Sequence, residues 1–206
     1  MKKLLIATTN NGKLQEITSI LADLPLKLVS LKELNLKEKP EETGKTFEEN
    51  AIIKAKFYAG KSGLPTIADD GGLEIDALNG EPGVKSHRWI HNDREDDDEE
   101  LIAYTIKKLK DVPLPERGAQ LRAVIALVLP NGKVYTAEGV IRGVIPVKPS
   151  AARVRGFPYR SLLYLLRLHK FYNSDDLTPE ESDYYNHRKM ALEKLRPIII
   201  KYFQQI

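Results

Sequence analysis

Two pairs of acidic residues, each followed by a glycine, have the chemistry to bind a divalent cation. They are Glu41-Glu42, before Thr43-Gly44, and Asp69-Asp70, before Gly71-Gly72. Mg²⁺ prefers oxygen ligands, and it often uses one or two carboxylates together with waters and substrate phosphates. A carboxylate beside such a cation can also orient or deprotonate an attacking water. Since Asp-Gly sequences are also ordinary turn formers, either pair taken alone is more often a turn than a metal site.

A segment near the N-terminus has the residue types of a phosphate site. It reads Thr8-Thr9-Asn10-Asn11-Gly12-Lys13, and it joins an apolar run to a helix-like pattern. The free N–H groups and the dipole at a helix N-terminus attract anions, and Lys13 adds a positive charge. The segment lacks the spacing of a P-loop, and many turns of this kind bind nothing. The phosphate interpretation therefore needs support from other segments.

A third candidate is the segment from Thr46 to Tyr58, in which Asn50 and Lys54 lie four residues apart. Residues with this spacing share one face of a helix, so the pair could reach a phosphate together. The alternative is that Glu49 or Asn50 pairs with a lysine at the surface. The segment by itself favours that alternative.

The C-terminal third contains two groups of residues that could bind a nucleobase. Gly156-Phe157-Pro158-Tyr159 supplies aromatic rings that can stack on a base, and Asn186-His187-Arg188 supplies hydrogen-bond donors for a purine edge or a phosphate. The competing interpretation places Phe157 in the core and the His-Arg pair in a contact between helices. Neither group is specific by itself.

Alternating apolar runs and helical periodicity predict the elements that must position these residues. Strands are predicted for Lys2 to Thr8, Leu26 to Ser30, Leu64 to Ala68, Leu121 to Leu129 and Val134 to Ile145. Helices are predicted after Asn10, from Thr46 to Gly60 with a Thr46/Glu49 capping box, over about 95–110, and from about Glu180 until Pro197. Pro130-Asn131-Gly132 predicts a hairpin. Leu162 to Leu168 fits a strand or a helix.

Composition limits the classes of protein that this chain can be. Its 206 residues, 42% hydrophobic, fit one domain or two lobes that share a sheet. No apolar run is long enough to span a bilayer, and the first residues do not form a signal peptide, so a cytoplasmic location is expected. The absence of cysteine excludes disulfides, cysteine-ligated zinc and a cysteine nucleophile.

Charge argues against a general nucleic-acid binder, because 32 Lys and Arg residues stand against 29 Asp and Glu residues. Residues 142–170 nevertheless carry seven basic side chains and no acidic one. This stretch could face an anionic ligand, or it could be a surface whose ion-pair partners lie elsewhere in the fold. The acidic run at residues 93–100 is typical of the N-terminus of a helix.

Taken together and in this order, the segments closely resemble the house-cleaning pyrophosphatases that remove inosine and xanthosine triphosphates and their deoxy forms. The matching strings are ATTNNGK, EETGKTFEENAIIKAKFYA, LPTIADDGGLEIDALNGEPGVKSHR and the Asn-His-Arg before an apolar helix. The resemblance implies an elongated α/β fold with a long mixed β-sheet, flanking helices and two lobes around a central nucleotide cleft, usually in a homodimer. It also implies Mg²⁺-dependent cleavage between the α- and β-phosphates, which yields a nucleoside monophosphate and pyrophosphate.

The resemblance also assigns roles to individual residues. Glu41 and Asp70 would bind Mg²⁺, and Asp70 would be the general base, with Asp69 and Glu74 as helpers. Lys13 and Lys54 would stabilise the charge that develops on the leaving pyrophosphate. The expected substrate contacts are Thr8, Thr9, Asn10, Asn11, Gly12, Lys13, Asn50, Lys54, Gly71, Phe157, Tyr159, Arg160, Ser182, His187 and Arg188.

This chain departs from the family pattern in the part that would read the base. Pro158 and Arg160 replace a glycine and an aspartate, Ser182 replaces a lysine, and Gly71 replaces a serine beside the metal site. A buried polar edge left unpaired costs about 1–3 kcal/mol, so we expect weaker selection of a 6-oxo purine. Arg153, Arg155 or Arg160 could substitute for the missing contacts.

Three alternatives to the leading interpretation follow from these departures and from the composition. The chain could perform the same reaction on a different or broader set of nucleotides. It could also be a catalytically silent nucleotide sensor, although the presence of Glu41, Asp70 and Lys13 argues against this. A nucleic-acid-binding module built on residues 142–170 would bind oligonucleotides in a salt-sensitive way, and no stable nucleic-acid partner is expected.

Overall fold

A computed structural model describes residues 2–173 and 175–205 as a mixed β-sheet with flanking helices. The strands are β1 Lys3–Ile6, β2 Lys27–Ser30, β3 Thr66–Ile75, β4 Gly118–Val128, β5 Val134–Val144, β6 Tyr164–Leu165 and β7 Lys170–Phe171. The α-helices are α1 Asn11–Ile20, α2 Phe47–Ser62, α3 Asp98–Lys108, α4 Pro179–Tyr184 and α5 His187–Gln204. Within the described residues, no helix is both long and apolar enough to cross a membrane.

The sheet has the strand order β2-β1-β3-β4-β5-β6-β7. β1 lies parallel to both β2 and β3, whereas β6 lies antiparallel to β5 and β7. The register pairs Leu5 of β1 with Thr66 of β3, and Ile6 with Ile67. This mixed sheet confirms the predicted α/β fold class.

The chain divides into two compact units that are described separately. Unit 1 contains the described residues up to Asp70, Ala123–Gly139 and the described residues from Arg188 onward. Unit 2 contains the described residues of Gly71–Arg122 and Val140–His187.

Both faces of the sheet are covered in unit 1, because successive strand residues point to opposite sides. Leu4 and Ile6 of β1 belong to a core with residues of α1 and α5, whereas Leu5 and Ala7 belong to a second core with residues of α2. Burial on both faces explains why β1 reads as a continuous apolar run in the sequence. β1 is therefore packed on both faces, with α1 and α5 on one side and α2 on the other.

Helix α2 begins at the predicted capping box. The Thr46 hydroxyl accepts a hydrogen bond from the Glu49 amide at 3.1 Å, and the Glu49 carboxylate accepts one from the Thr46 amide at 3.2 Å. The helix ends at Gly63, which adopts the left-handed conformation with φ 66°. These caps fix where α2 starts and stops.

Loss of this cap should destabilise the protein. Because Thr46→Ala removes an N-cap acceptor, we expect it to lower the free energy of unfolding by about 1 kcal/mol in urea denaturation. Thr18→Ala is the control, since Thr18 is an exposed residue within α1. Equal stability of Thr46→Ala and the wild type would show that the cap contributes nothing.

Two predicted boundaries are wrong. β3 does not end at Ala68 but continues through the Asp-Asp-Gly-Gly sequence to Ile75, because Leu73 and Ile75 are fully buried and prolong the strand. Helix α5 does not end at Pro197, which lies inside it. Proline removes one helical hydrogen bond, but Ile199 and Phe203 beyond it are buried in the core and offset that loss.

The sequence of Leu162 to Leu168 fits a strand or a helix, and in the structure this segment contains the short strand β6. Tyr164 pairs with Val144 of β5 and with Phe171 of β7. The predicted hairpin is also present, since β4 and β5 are neighbours in the sheet and the Gly132 amide donates to the Leu129 carbonyl at 2.9 Å.

Candidate active site

The N-terminus of α1 follows β1 closely and is held by side-chain hydrogen bonds. The Asn10 side chain caps the helix by accepting a hydrogen bond from the Lys13 amide at 3.0 Å. The Thr8 hydroxyl accepts one from the Asn10 amide at 3.2 Å. Asn11 and Gly12 lie in the first turn, where amides have no intrahelical acceptor. The segment therefore presents backbone donors and a positive dipole, as predicted for a phosphate site.

Asp69 is the centre of a buried ion-pair chain in unit 1. Its Oδ2 lies 3.0 Å from Lys13 Nζ and 3.1 Å from Arg188 Nε, and Arg188 also pairs with Glu16 at 2.9 Å. Burial alone would raise the pKa of Asp69, but Lys13 and Arg188 hold this pKa well below its ordinary value. Asp69 is therefore an anion at neutral pH, and it positions the Lys13 ammonium.

The next residue, Asp70, has a different environment. Its Oδ1 lies 2.9 Å from Lys54 Nζ, and the same ammonium lies 3.0 Å from Glu42 Oε2. Burial raises the pKa of Asp70, which Lys54 and Lys13 oppose only in part. Although burial disfavours the charged form of Lys54, Asp70 and Glu42 raise its pKa above the ordinary value. Two neighbouring aspartates thus have pKa values shifted in opposite directions.

The segment that carries Glu42 is attached to α2. The Asn50 side chain, which is buried, accepts a hydrogen bond from the Gly44 amide at 2.8 Å, and the Tyr58 hydroxyl donates to the Glu38 carbonyl at 2.9 Å. A Cβ at Gly44 would lie only 2.6 Å from the Asn50 oxygen, so this close approach needs glycine. Asn50 therefore holds the acidic segment against the helix that carries Lys54.

Several predicted residues of unit 1 are thus brought together, and one partner was missed. Two ion-pair groups form from Lys13, Lys54, Asp69, Asp70 and Arg188, together with Glu42 of the predicted acidic pair and with Glu16. The missed partner is Glu16. Glu16 could have been found, because it lies three residues after Lys13 and shares its helical face. Glu41 is exposed, and its metal-binding role stays a prediction.

In unit 2, three of the predicted base-binding residues, Phe157, Arg160 and His187, form a cluster around Tyr172. The Arg160 guanidinium lies 4.1 Å from the ring centre of Phe157 and 5.2 Å from that of Tyr172. The Tyr172 hydroxyl lies 3.4 Å from His187 Nδ1. Tyr159 is buried, its hydroxyl donates to the Ser86 carbonyl, and burial raises its pKa. Tyr172 belongs to this cluster, and no motif in the sequence indicated it.

Three other predicted site residues, Glu74, Gly71 and Ser182, also lie in unit 2. Glu74 accepts hydrogen bonds from Gln120 at 2.6 Å and from Arg122 at 3.0 Å. Gly71 lies within β3, and Ser182 lies within α4. Their roles toward a substrate stay predictions.

The basic stretch at residues 142–170 is at least partly a paired surface. Arg142 pairs with Asp76, Arg153 with Glu99 and Lys170 with Glu181, all within unit 2. These contacts favour the interpretation of a surface whose ion-pair partners lie elsewhere in the sequence. They account for three of the seven basic side chains in this stretch.

The donor chemistry around Asp70 fits a hard divalent cation. The carboxylates of Asp70 and Glu42 converge on one ammonium group, and the buried Asp69 Oδ1 has no hydrogen-bond partner. A second acidic group, in unit 2, fits less well: His91, Asp96 and Glu100 lie close together, but the Asp96 carboxylate accepts hydrogen bonds from the Ile90 and His91 amides. We therefore place the candidate metal position at Asp70.

The sequence model of the Ham1 family matches residues 4–198. The dITP/XTP pyrophosphatase of Geobacter sulfurreducens is 42% identical to this chain, with 95% of this chain and 96% of the relative covered. The dITP/XTP pyrophosphatase of Bacillus subtilis is 37% identical, with coverages of 97% and 98%.

Solved structures show the same fold. The Ham1 protein of Staphylococcus aureus superposes with a TM-score of 0.83 at 32% identity, and the alignment covers 98% of this chain and 100% of that one. A HAM1 protein from Coxiella burnetii has a TM-score of 0.84 at 35% identity, with the same coverage.

Proposed function

Because this chain belongs to the Ham1 family, we propose that it hydrolyses non-canonical purine nucleoside triphosphates. The substrates are inosine, deoxyinosine and xanthosine triphosphates, and the products are the nucleoside monophosphate and pyrophosphate. The curated relatives named dITP/XTP pyrophosphatase match it over nearly their whole length. The chain is thus a hydrolase that acts on acid anhydrides.

The observation that carries this proposal is the arrangement of two lysines on two adjacent aspartates. Lys13 contacts Asp69, Lys54 contacts Asp70, and Lys13 also lies in the first turn of α1. A triphosphate needs both positive side chains and backbone donors, and the helix N-terminus supplies the latter. We assign the phosphate chain to this group of residues.

The opposite pKa shifts of the two aspartates divide their roles. A general base works best when its pKa lies near the working pH, and the raised pKa of Asp70 moves it in that direction. Asp70 accepts the proton of the attacking water, while Asp69 stays charged and keeps Lys13 in place. Lys13 and Lys54 stabilise the charge on the leaving pyrophosphate.

We propose Mg²⁺ as the cofactor. Asp70 with Glu41 or Glu42 would hold it, and the structure places Glu42 on the ammonium that Asp70 also contacts. When bound, Mg²⁺ neutralises charge on the phosphate oxygens and polarises the scissile bond.

A broader choice of nucleotides is the second candidate function, and one contact favours it. Arg160 stands where the family has an aspartate, and its guanidinium covers one face of Phe157 at 4.1 Å. A base that stacks beside a cation is held through its π-face and not through the hydrogen-bonding groups on its edge. Since every base has a π-face, such binding discriminates little between bases. The reaction is unchanged under this alternative, and only selectivity differs.

A substrate panel tests both candidates. Pyrophosphate release should be fast with inosine and xanthosine triphosphates and slower with adenosine, guanosine and pyrimidine triphosphates, as compared by kcat/KM with Mg²⁺ present. Similar kcat/KM values for all of them would establish the broader selectivity instead. No pyrophosphate release from any triphosphate would contradict the proposed reaction.

The family resemblance leads us to propose a homodimer, which sedimentation would test. We also propose a cytoplasmic location.

A further inference from the structure

Lys54 lies between two carboxylates that could otherwise share a cation. Its Nζ is 3.0 Å from Glu42 Oε2 and 2.9 Å from Asp70 Oδ1. The Lys54 and Asp70 side chains are each only 14% exposed, and that of Glu42 is 29% exposed. The ammonium group therefore makes both contacts in a largely desolvated position.

An ammonium and a divalent cation compete for such a pair. Both are compact positive charges that bind carboxylate oxygens, and two cations held a few ångströms apart repel strongly where water is scarce. Lys54 also has restricted freedom to swing away, because its helix α2 is packed in the core and Asn50 ties the Glu42 segment to the same helix. A divalent cation can use Glu42 and Asp70 together only if the ammonium leaves one of them.

We propose that Lys54 acts as an internal substitute for the divalent cation, so that Glu42 and Asp70 bind metal strongly only when a triphosphate draws the ammonium away. This inference rests on the proposed function, because a triphosphate is the anion that gives Lys54 a new partner. Metal and nucleotide then bind with positive coupling, and Lys54 is the residue that links them. The nucleotide-free protein therefore binds metal only weakly at Glu42 and Asp70.

Thermodynamic linkage gives the proposal a measurable consequence. If the nucleotide raises the affinity for metal, the metal raises the affinity for nucleotide by the same factor. Removing the ammonium should raise metal affinity in the free protein and reduce this factor. A purely structural role for Lys54 would instead lower metal affinity when the residue is lost.

The test is Mn²⁺ binding measured by electron paramagnetic resonance, without nucleotide and with a non-hydrolysable α,β-methylene inosine triphosphate. Lys54→Met should bind Mn²⁺ about tenfold or more tightly than the wild type when no nucleotide is present. The enhancement caused by the analogue should be smaller in the variant. Lys54→Arg keeps the positive charge and should behave as the wild type does.

Lys61→Met is the matched control, because Lys61 lies on the same helix and its ammonium pairs with Glu38 at the surface. Its Mn²⁺ affinity should not change. Circular dichroism checks the fold of each variant, and Lys54→Gln, which is neutral but keeps a hydrogen-bond donor, replaces Lys54→Met if that variant does not fold.

Unchanged or weaker Mn²⁺ binding by the folded neutral variant would overturn the proposal. That result is independent of the proposed function, since the measurement without nucleotide does not need a substrate. Conversely, tighter Mn²⁺ binding by the variant, together with no hydrolysis of any triphosphate by the wild type, would support the role of Lys54 and reject the proposed reaction.

Discussion

Asp70→Asn is expected to lower kcat for inosine triphosphate by about a hundredfold or more, without lowering the free energy of unfolding. The loss of activity follows from the removal of the proposed general base and of one proposed metal ligand. The amide has nearly the same shape as the carboxylate, so the packing around β3 should be retained.

The expected stability follows from the pKa of Asp70. A carboxyl group whose pKa is raised in the folded protein favours the protonated form there, so its charged form destabilises the fold at neutral pH. Burial is the main cause of this shift. Asn removes the buried charge, while Lys54 keeps its contact with Glu42. The variant should therefore be at least as stable as the wild type.

Steady-state kinetics and urea denaturation measure the two effects. Asp76→Asn is a suitable control, because Asp76 follows the end of β3 and its carboxylate is half-exposed and paired with Arg142. That variant should keep its kcat. A higher KM with normal kcat in Asp70→Asn would assign Asp70 to binding instead of catalysis, and kcat within a few-fold of wild type would reject the proposed base.

Local sequence signals predicted the starts of α1 and α2 well. The capping box at Thr46 and Glu49 was readable because its partners lie three residues apart, and the same holds for the Asn10 cap. These contacts depend only on nearby residues, so the tertiary fold does not alter them. The approximate position of Lys13 could therefore be inferred before its partner was known.

Long-range partners could not be read in the same way. Asp69 and Arg188 are separated by 119 positions, and nothing in either segment indicates that they form an ion pair. The guanidinium of Arg188 is engaged by Asp69 and Glu16, and its expected contact with the substrate stays a prediction. Likewise, Glu41 and Glu42 are chemically equivalent neighbours, and only the path of the chain decides which one reaches Lys54.

The two wrong boundaries have one physical cause. Asp-Gly and Pro are strong local signals for a turn or a helix end, but at Gly72 and Pro197 the buried residues that follow outweigh them. Gly72 lies within β3 and not in a turn, and glycine is needed there because a Cβ would lie 1.8 Å from the Ser86 hydroxyl oxygen. It allows β3 to pass close to Ser86, whose hydroxyl accepts a hydrogen bond from the Leu73 amide.

The second large effect is expected at Asp69, the neighbour of Asp70. Replacing Asp70 should not lower the stability of the protein, whereas replacing Asp69 should lower it. Asp69→Asn should lower the free energy of unfolding by about 3–5 kcal/mol, because it leaves the buried Lys13 and Arg188 cations without their shared anion. Activity should also fall, since Lys13 loses the contact that positions it. Asp23→Asn, at an exposed ion pair with Arg196, should change stability little.

The pH dependence separates the ion pair from a loss of packing. The pKa of Asp69 is lowered in the folded protein, so its stabilisation is present above the unfolded-state pKa of about 4 and is lost as pH falls toward the folded-state value. The stability difference between wild type and Asp69→Asn should therefore be constant near neutrality and shrink below about pH 4. Urea denaturation across this range measures it. A difference that is the same at pH 3 and pH 7 would mean that Asp69 stabilises the fold through its shape and not through its charge.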